Sequence, residues 1–398
     1  MRLGTEHKEP HRSWSRRALR AATATVAATA TATAGLGLSA GAASAATRAA
    51  PNAAAGMKRA EAVVAEFSKK PAFIAAGPAF NAKKLDAGKT LFSIPVDSQD
   101  QFVQILENDM QQVAKKVGIH FVDYSNSGDP SAWTTGMQQA VSEHVNLIDL
   151  LAGINPEQLT PQLLQANAAH IPVVASDAYS LGQKADPKLA GVMDVPYAGA
   201  GTVMADWTIV HSKGHAHALV IESNDVVSSP KEAGAAVAAF HQNCPACTVS
   251  VVNIPVADWA SQTQTQVASY LRANPDTNYI LPVYDSQSQY ISPAIAVAGD
   301  TGKVHIVTYD GTAFVLNYLR KGQAVIMDVG EDLKWIAWAI MDQEMRIMAG
   351  LKPVANEHTP MMIWPSANIA QAGNPPKQSE GYGNGFVTGY EKLWGLAS

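Results

Sequence analysis

Apolar residues fall in short β-favouring blocks that end abruptly in polar side chains. Val304-His305-Ile306-Val307-Thr308-Tyr309 runs into Asp310, Gly311 and Thr312. Ile171-Pro172-Val173-Val174-Ala175-Ser176 ends in Asp177, the block 278–283 ends in Tyr284 and Asp285, and the block 90–96 runs into Asp97-Ser98-Gln99-Asp100. Apolar runs this short, with little alternation, predict strands buried on both faces, as in a parallel sheet. Open α/β sheets place ligand groups beyond the carboxyl ends of their strands. These terminal polar residues are therefore candidates to converge on one small molecule.

Between the blocks the period changes to that of a helix. Residues 99–117 carry Phe102, Leu106, Met110, Val113 and Val117 on one face. The pattern then predicts strand 119–124, helix 131–144, strand 145–152, helix 156–169 and the strand ending at Asp177. It restarts near 191–196, with helix 197–211, strand 216–222, helix 230–243, strand 248–254 and helix 260–273. The Tyr284 strand, helix 286–298, the Asp310 strand, helix 313–321, strand 323–328 and a long helix 331–349 follow. Such alternation predicts right-handed βαβ units, and two series of it predict two doubly wound parallel-sheet lobes with a cleft between them. Residues 46–88, Ala-rich with a helix at 57–69, read as an arm. The Pro-, Gly- and Asn-rich tail from Lys352 is expected to be irregular apart from 361–364.

Composition adds limits. The chain has 398 residues, 47% hydrophobic and 16% charged, which suits a folded protein of about two domains. Residues 1–45 hold six basic and two acidic side chains, leaving 23 basic and 32 acidic in the remainder, a net of −9. That balance argues against nucleic acid as a partner, and no basic cluster suggests an anionic membrane surface. Six basic residues up to Arg20, an uncharged run from Ala21, and Ala43-Ser44-Ala45 form a basic region, an apolar region and an A-x-A site. Residues 1–45 therefore read as a signal peptide cleaved after Ala45, and export to the cell envelope or beyond is expected. A membrane span is disfavoured because Ala and Thr insert weakly. Ser15-Arg16-Arg17-Ala18-Leu19 resembles a twin-arginine signal, but Arg20 stands where that pattern prefers an apolar residue, so both export routes stay open. No cysteine follows the site, so no lipid anchor is expected.

The order and spacing of four stretches resemble the type I periplasmic binding proteins, most nearly the ribose-binding-like sugar receptors of ABC transporters. The stretches are the Gln99–Phe102 loop, Ala169-His170-Ile171-Pro172-Val173-Val174 with Asp177, Val307-Thr308-Tyr309-Asp310-Gly311-Thr312, and Gly322-Gln323-Ala324-Val325-Ile326-Met327-Asp328. The likeness spans about 89–365. It implies a periplasmic binding protein-like I fold, in which a three-crossover hinge joins discontinuous lobes. Lobe 1 would comprise 89–193 and 330–363, and lobe 2 would comprise 194–329 and 364–398 with the tail. The hinge would lie near 193–195, 328–330 and 363–365.

The resemblance also implies a ligand set of Gln99, Phe102, Asp177, Trp259, Tyr284, Asp310 and Asp328, to which the residues themselves add Tyr179 and the strand-end Asp285. Carboxylates and amides suit sugar hydroxyls, and aromatic rings suit C–H faces. Taken singly, each aspartate could equally be a helix cap or a turn residue. Receptors of this type usually carry arginines after the Asp177 strand and early in lobe 2. Here Ala178 follows Asp177, and residues 228–240 offer only Lys231. Acidic groups without basic partners predict a neutral, hydroxyl-rich ligand first, an amine-bearing one second, and no sugar phosphate or simple carboxylate.

Cys244 and Cys247, the only cysteines, read in an exported chain as a small structural disulfide; a zinc site would need further ligands. His211, His215 and His217 have no accompanying carboxylate cluster and read as a solvated loop, so no metal is expected. Phosphate loops and nucleophile or metalloprotease motifs are absent, and no cofactor or catalytic residue is indicated. The function expected is that of a monomeric solute receptor serving an ABC permease. A sensor domain presenting ligand to a membrane signalling partner, or an exported enzyme on the same fold, are the alternatives.

Overall fold

The computed structural model describes residues 40–377 and 379–396. The expected signal peptide lies almost wholly outside them. The chain divides into units 1–46 and 47–398, and the second contains both sheets. An arm comes first, with helices α1 (Ala40–Phe67) and α2 (Ala82–Asp86). Then β1 (Thr90–Pro95), α3 (Gln101–Val117), β2 (His120–Asp123), α4 (Pro130–Ser142), β3 (Leu147–Leu151), α5 (Thr160–Ala168), β4 (Val173–Ser180) and β5 (Gly191–Val195) build a sheet of order β2-β1-β3-β4-β5, parallel throughout.

The second sheet is built by α6 (Tyr197–His211), β6 (His217–Glu222), α7 (Ser229–Asn243), β7 (Thr248–Asn253), α8 (Trp259–Ala273), β8 (Tyr279–Pro282), α9 (Ser288–Ala298), β9 (His305–Asp310), α10 (Ala313–Arg320) and β10 (Val325–Gly330). After α11 (Leu333–Met348), strand β11 (Met362–Pro365) joins its edge antiparallel, giving the order β11-β10-β9-β8-β6-β7. The last element is α12 (Gly385–Leu393). Each sheet reverses its winding once, between β1 and β3 and between β6 and β8, and the carboxyl ends at such a switch point leave a crevice.

Local chemistry sets the boundaries. β1 is buried from Leu91 to Pro95 and stops where Asp100 caps α3, its carboxylate accepting the Phe102 N–H. Gly118 ends that helix in the left-handed conformation, at φ +96°. Helix α11 is buried on nearly every side, because it packs on α3, β4 and β5 beneath and on α12 above. A helix buried all round is an integral part of its lobe's core.

The tail differs from expectation. Met362 and Ile363 pair within the second sheet, and α12 then crosses back to lie on α11 of the first lobe. Phe386, Tyr390 and Trp394 are spaced by four and fully buried. Phe386 stacks on Trp335 at 5.0 Å, and Trp394 stacks on Trp338 and on Tyr390 at 5.2 Å each. The glycines and asparagines of this stretch hid an aromatic helical face. The arm touches both lobes. Arg59 on α1 donates to Asn243 Oδ1 and the Gln242 carbonyl, both at 2.9 Å. Phe73 packs edge-on against Tyr390 at 4.9 Å, and Arg346 lies over Phe80 and donates to the Pro78 carbonyl. Trp394→Ala should cost about 3–5 kcal/mol, the range for removing a buried aromatic side chain. Urea unfolding checks this, and a loss below about 1 kcal/mol would mean that α12 contributes little to the fold.

Candidate functional site

Between the lobes lies a narrow cavity of about 40 Å³, lined by Val96, Asp100, Phe102, Val103, Ala152 and Asp177 of the first lobe and by Tyr197 at the start of the second. Val226, Val256, Trp259, Tyr284, Ser286 and Asp310 complete it. Nearly every contributor follows the carboxyl end of a strand: Phe102 after β1, Ala152 after β3, Val226 after β6, Val256 after β7 and Tyr284 after β8. Asp177 lies late in β4, at a register shift that holds it at φ +54°. Its backbone and Oδ1 oxygens both accept the Tyr197 hydroxyl, at 3.1 and 2.7 Å, while Oδ2 has no partner. Burial pushes the Asp177 carboxyl up to about 6, the Tyr197 hydrogen bond opposing it. Asp310 ends β9 and accepts the Asp285 N–H at 3.0 Å. Burial, then the carboxyls of Asp285, Glu331 and Glu232, hold it well above the usual carboxylate range.

Of the nine residues expected at the ligand, Phe102, Asp177, Trp259, Tyr284 and Asp310 line this cavity. Trp259 and Tyr284 stand with ring centroids 5.9 Å apart. The other four lie elsewhere. Gln99 is exposed at the outer mouth, beside Gln101, Gln289 and Tyr290. Tyr179 packs into the first lobe, where its hydroxyl accepts the Asp186 N–H at 3.3 Å. Asp285 accepts the backbone N–H and hydroxyl of Thr312 at 2.7 and 2.6 Å, and Asp328 accepts the Gly311 N–H at 3.1 Å. Together with Asp310 these two brace the ends of β8, β9 and β10, because backbone N–H groups in buried strand-end turns need acceptors. Gly311 belongs to that brace: at φ +77°, a Cβ there would meet the Gly330 Cα at 2.7 Å.

The ligand set left out Asp100, although it stood among the polar residues after β1, and Tyr197 was missed altogether. Asp100 accepts the Ser286 hydroxyl at 3.1 Å, joining the first lobe to the second across the cavity's rim. An aspartate directly before an amphipathic run is a helix-cap signal, and that signal marked its place. Tyr197 gave none, since it opens a helix with almost no amphipathic pattern. Among the described residues no group of His, Cys, Asp or Glu could hold a metal ion. His211 instead stacks on Trp207 at 4.5 Å, and His217 pairs with Thr248.

Behind the cavity, Glu232, Asp285, Asp328 and Glu331 are buried with Asp177 and Asp310. Glu232 has no partner at either oxygen, and Glu331 accepts the Tyr309 hydroxyl. Burial raises all of them, Asp328 to about 7. A carboxyl raised in the folded state stabilises the fold below its unfolded value, near 4, and loses that contribution as pH rises through the folded value. Melting temperature should therefore fall by at least about 5 °C between pH 5 and pH 8.5, and Asp328→Asn should flatten the fall. Calorimetric melts across that interval check this, and a rising melting temperature would contradict it.

Solved structures share this architecture. A solute-binding protein of an ABC transporter from Agrobacterium vitis, with bound allitol, is 15% identical with a TM-score of 0.64, over 72% of this chain and 98% of that one. A 5-methylthioribose transporter solute-binding protein from Thermotoga lettingae, in complex with 5-methylthioribose, is 16% identical with a TM-score of 0.67, over 79% and 100%. A sugar ABC transporter protein from Yersinia enterocolitica is 18% identical with a TM-score of 0.65, over 81% and 98%. At these identities the likeness establishes the fold. No curated protein sequence matches the chain. Residues 91–352 match the periplasmic binding protein domain, a span that takes in the first sheet from Leu91, the second sheet apart from β11, and every residue around the cavity, and the chain belongs to that family.

Proposed function

We propose that the protein is an exported solute receptor that closes its two lobes on a small, non-anionic, hydroxyl-bearing molecule, sugar or polyol in type, and delivers it to an ABC permease. The carrying observation is the cavity itself: two buried carboxyls and a set of aromatic rings, drawn from both lobes, with no basic side chain among its lining residues. Hydroxyl hydrogens donated to carboxylates form charge-assisted bonds that withstand desolvation, and rings accept the C–H faces. An anion there would add repulsion to its own desolvation. The sugar- and polyol-bound relatives support the same solute class. With so little space in the cavity, entry requires the lobes to part. Only the closed form makes both sets of contacts, so binding energy favours closure.

The receptor would act as a monomer. It would reach the cell exterior through the signal peptide of residues 1–45. The sulfurs of Cys244 and Cys247, 2.04 Å apart in the turn between α7 and β7, support a disulfide suited to that compartment. The intact mass of the secreted protein should correspond to a chain starting at Ala46 and lacking the two thiol hydrogens. A species retaining Met1, or free thiols under denaturing conditions, would contradict this.

A thermal-shift screen of sugars, polyols, amines and aromatic acids identifies the solute, and calorimetry then tests the site. Asp310→Asn should weaken binding by about 1.5–3 kcal/mol, the range for a hydrogen bond to a charged group. Unchanged affinity, tight binding of an anion, or turnover of the solute would overturn the reading.

A further inference from the structure

The donors and acceptors of the cavity narrow the solute further, on the basis of the receptor reading. No arginine, lysine, histidine, asparagine or glutamine lines it. The indole N–H of Trp259 is engaged by Ser223 Oγ at 2.9 Å and the Ile254 carbonyl at 3.2 Å. Among the hydroxyls, Tyr197 donates to Asp177 and Ser286 to Asp100, while Tyr284 shares a single hydrogen bond with Ser228. What remains is acceptor capacity on carboxyl oxygens, including Asp177 Oδ2, which is unpartnered on a residue only 1% exposed. A sugar hydroxyl is donor and acceptor at once and would leave its lone pairs unmet here. An ammonium group has donors and no acceptor, and it is attracted to ring faces.

We infer that the solute carries a protonated amine, seated against Asp177 and Asp310 and the rings of Trp259 and Tyr284, on a neutral hydroxylated body of the amino-polyol or amino-sugar class. The surroundings reinforce this. Glu232 from α7, Asp285 after β8, Tyr309 on β9 and Glu331 after β10 lie close to one or both of these carboxyls, Asp328 on β10 stands behind Asp285, and Tyr197 from α6 and Asp100 complete the lining. All are acidic or neutral. A cation entering among them is met by an ionised carboxyl, so a proton leaves as the amine arrives. Affinity must then rise with pH, by linkage. That is opposite in sign to the stability of the unliganded fold.

Titration calorimetry on the purified full-length protein tests this with two matched pairs: 1-amino-1-deoxysorbitol against sorbitol, and choline against its neutral isostere 3,3-dimethyl-1-butanol. Measurements at pH 5.5 and 8, in buffers of different ionisation enthalpy, report proton release. At least one amine should bind about tenfold or more tighter than its neutral counterpart at pH 8, as one charge-assisted bond or cation–aromatic contact provides. It should lose most of that advantage at pH 5.5 and release protons on binding. Asp177→Asn should abolish the advantage; asparagine tolerates the left-handed backbone there, and a single cooperative melt would show the fold intact. Equal or tighter binding of the neutral members, or amine binding without proton release, overturns the amine assignment and leaves the receptor standing. No binding by any solute in the broader screen overturns both.

Discussion

Carboxyl groups buried without a counter-cation are the constraint around which the cleft is built. An isolated ionised carboxylate is costly in such surroundings, so burial raises these carboxyls and makes them hydrogen-bonding parts of the structure. Asp285, Asp310 and Asp328 hold three strand ends together through backbone N–H groups. Asp177 is held by Tyr197, which reaches it from the first helix of the second lobe. The groups that could meet a solute are thereby fixed by the groups that hold the strand ends. Loss of one acceptor would disturb a backbone turn as well as a contact.

The same motif recurs inside the first lobe. Asp149 on β3 and Glu344 on α11 are fully buried, with Ser176 as the neutral neighbour of Asp149. Burial raises both, Asp149 to about 7, and the two carboxyls face each other closely enough to share one proton. Such a pair is tolerable only where apolar packing around it is dense. The buried face that α11 turns to β4 and β5 provides that packing.

Much of this was legible in the sequence because it is a matter of period. Apolar blocks ending in polar residues marked the strands, and the helical spacing from Phe102 to Val117 marked α3. The site was legible only in part, for a physical reason. An aspartate at a strand end looks the same whether its oxygens face a ligand or a neighbouring turn. Asp177 and Asp310 line the cavity, whereas Asp285 and Asp328 satisfy backbone donors one turn away. Tyr197 gave no signal, since its role depends on a contact across twenty residues of chain. The aromatic spacing of α12 was present, but the glycines around it masked a helix that exists because α11 offers it a surface.

The arm gives the lobes a connection that does not pass through the hinge. Its first helix is fastened to the end of α7, Phe73 is fastened to α12, and residues 68–72 between that helix and Phe73 contain no helix or strand. Five residues of chain, fully drawn out, reach roughly 17 Å, so this strap gives over a short distance and then draws taut. The gape of the receptor would thus have a stop set by chain length, much as a cord limits a door that its hinges leave free.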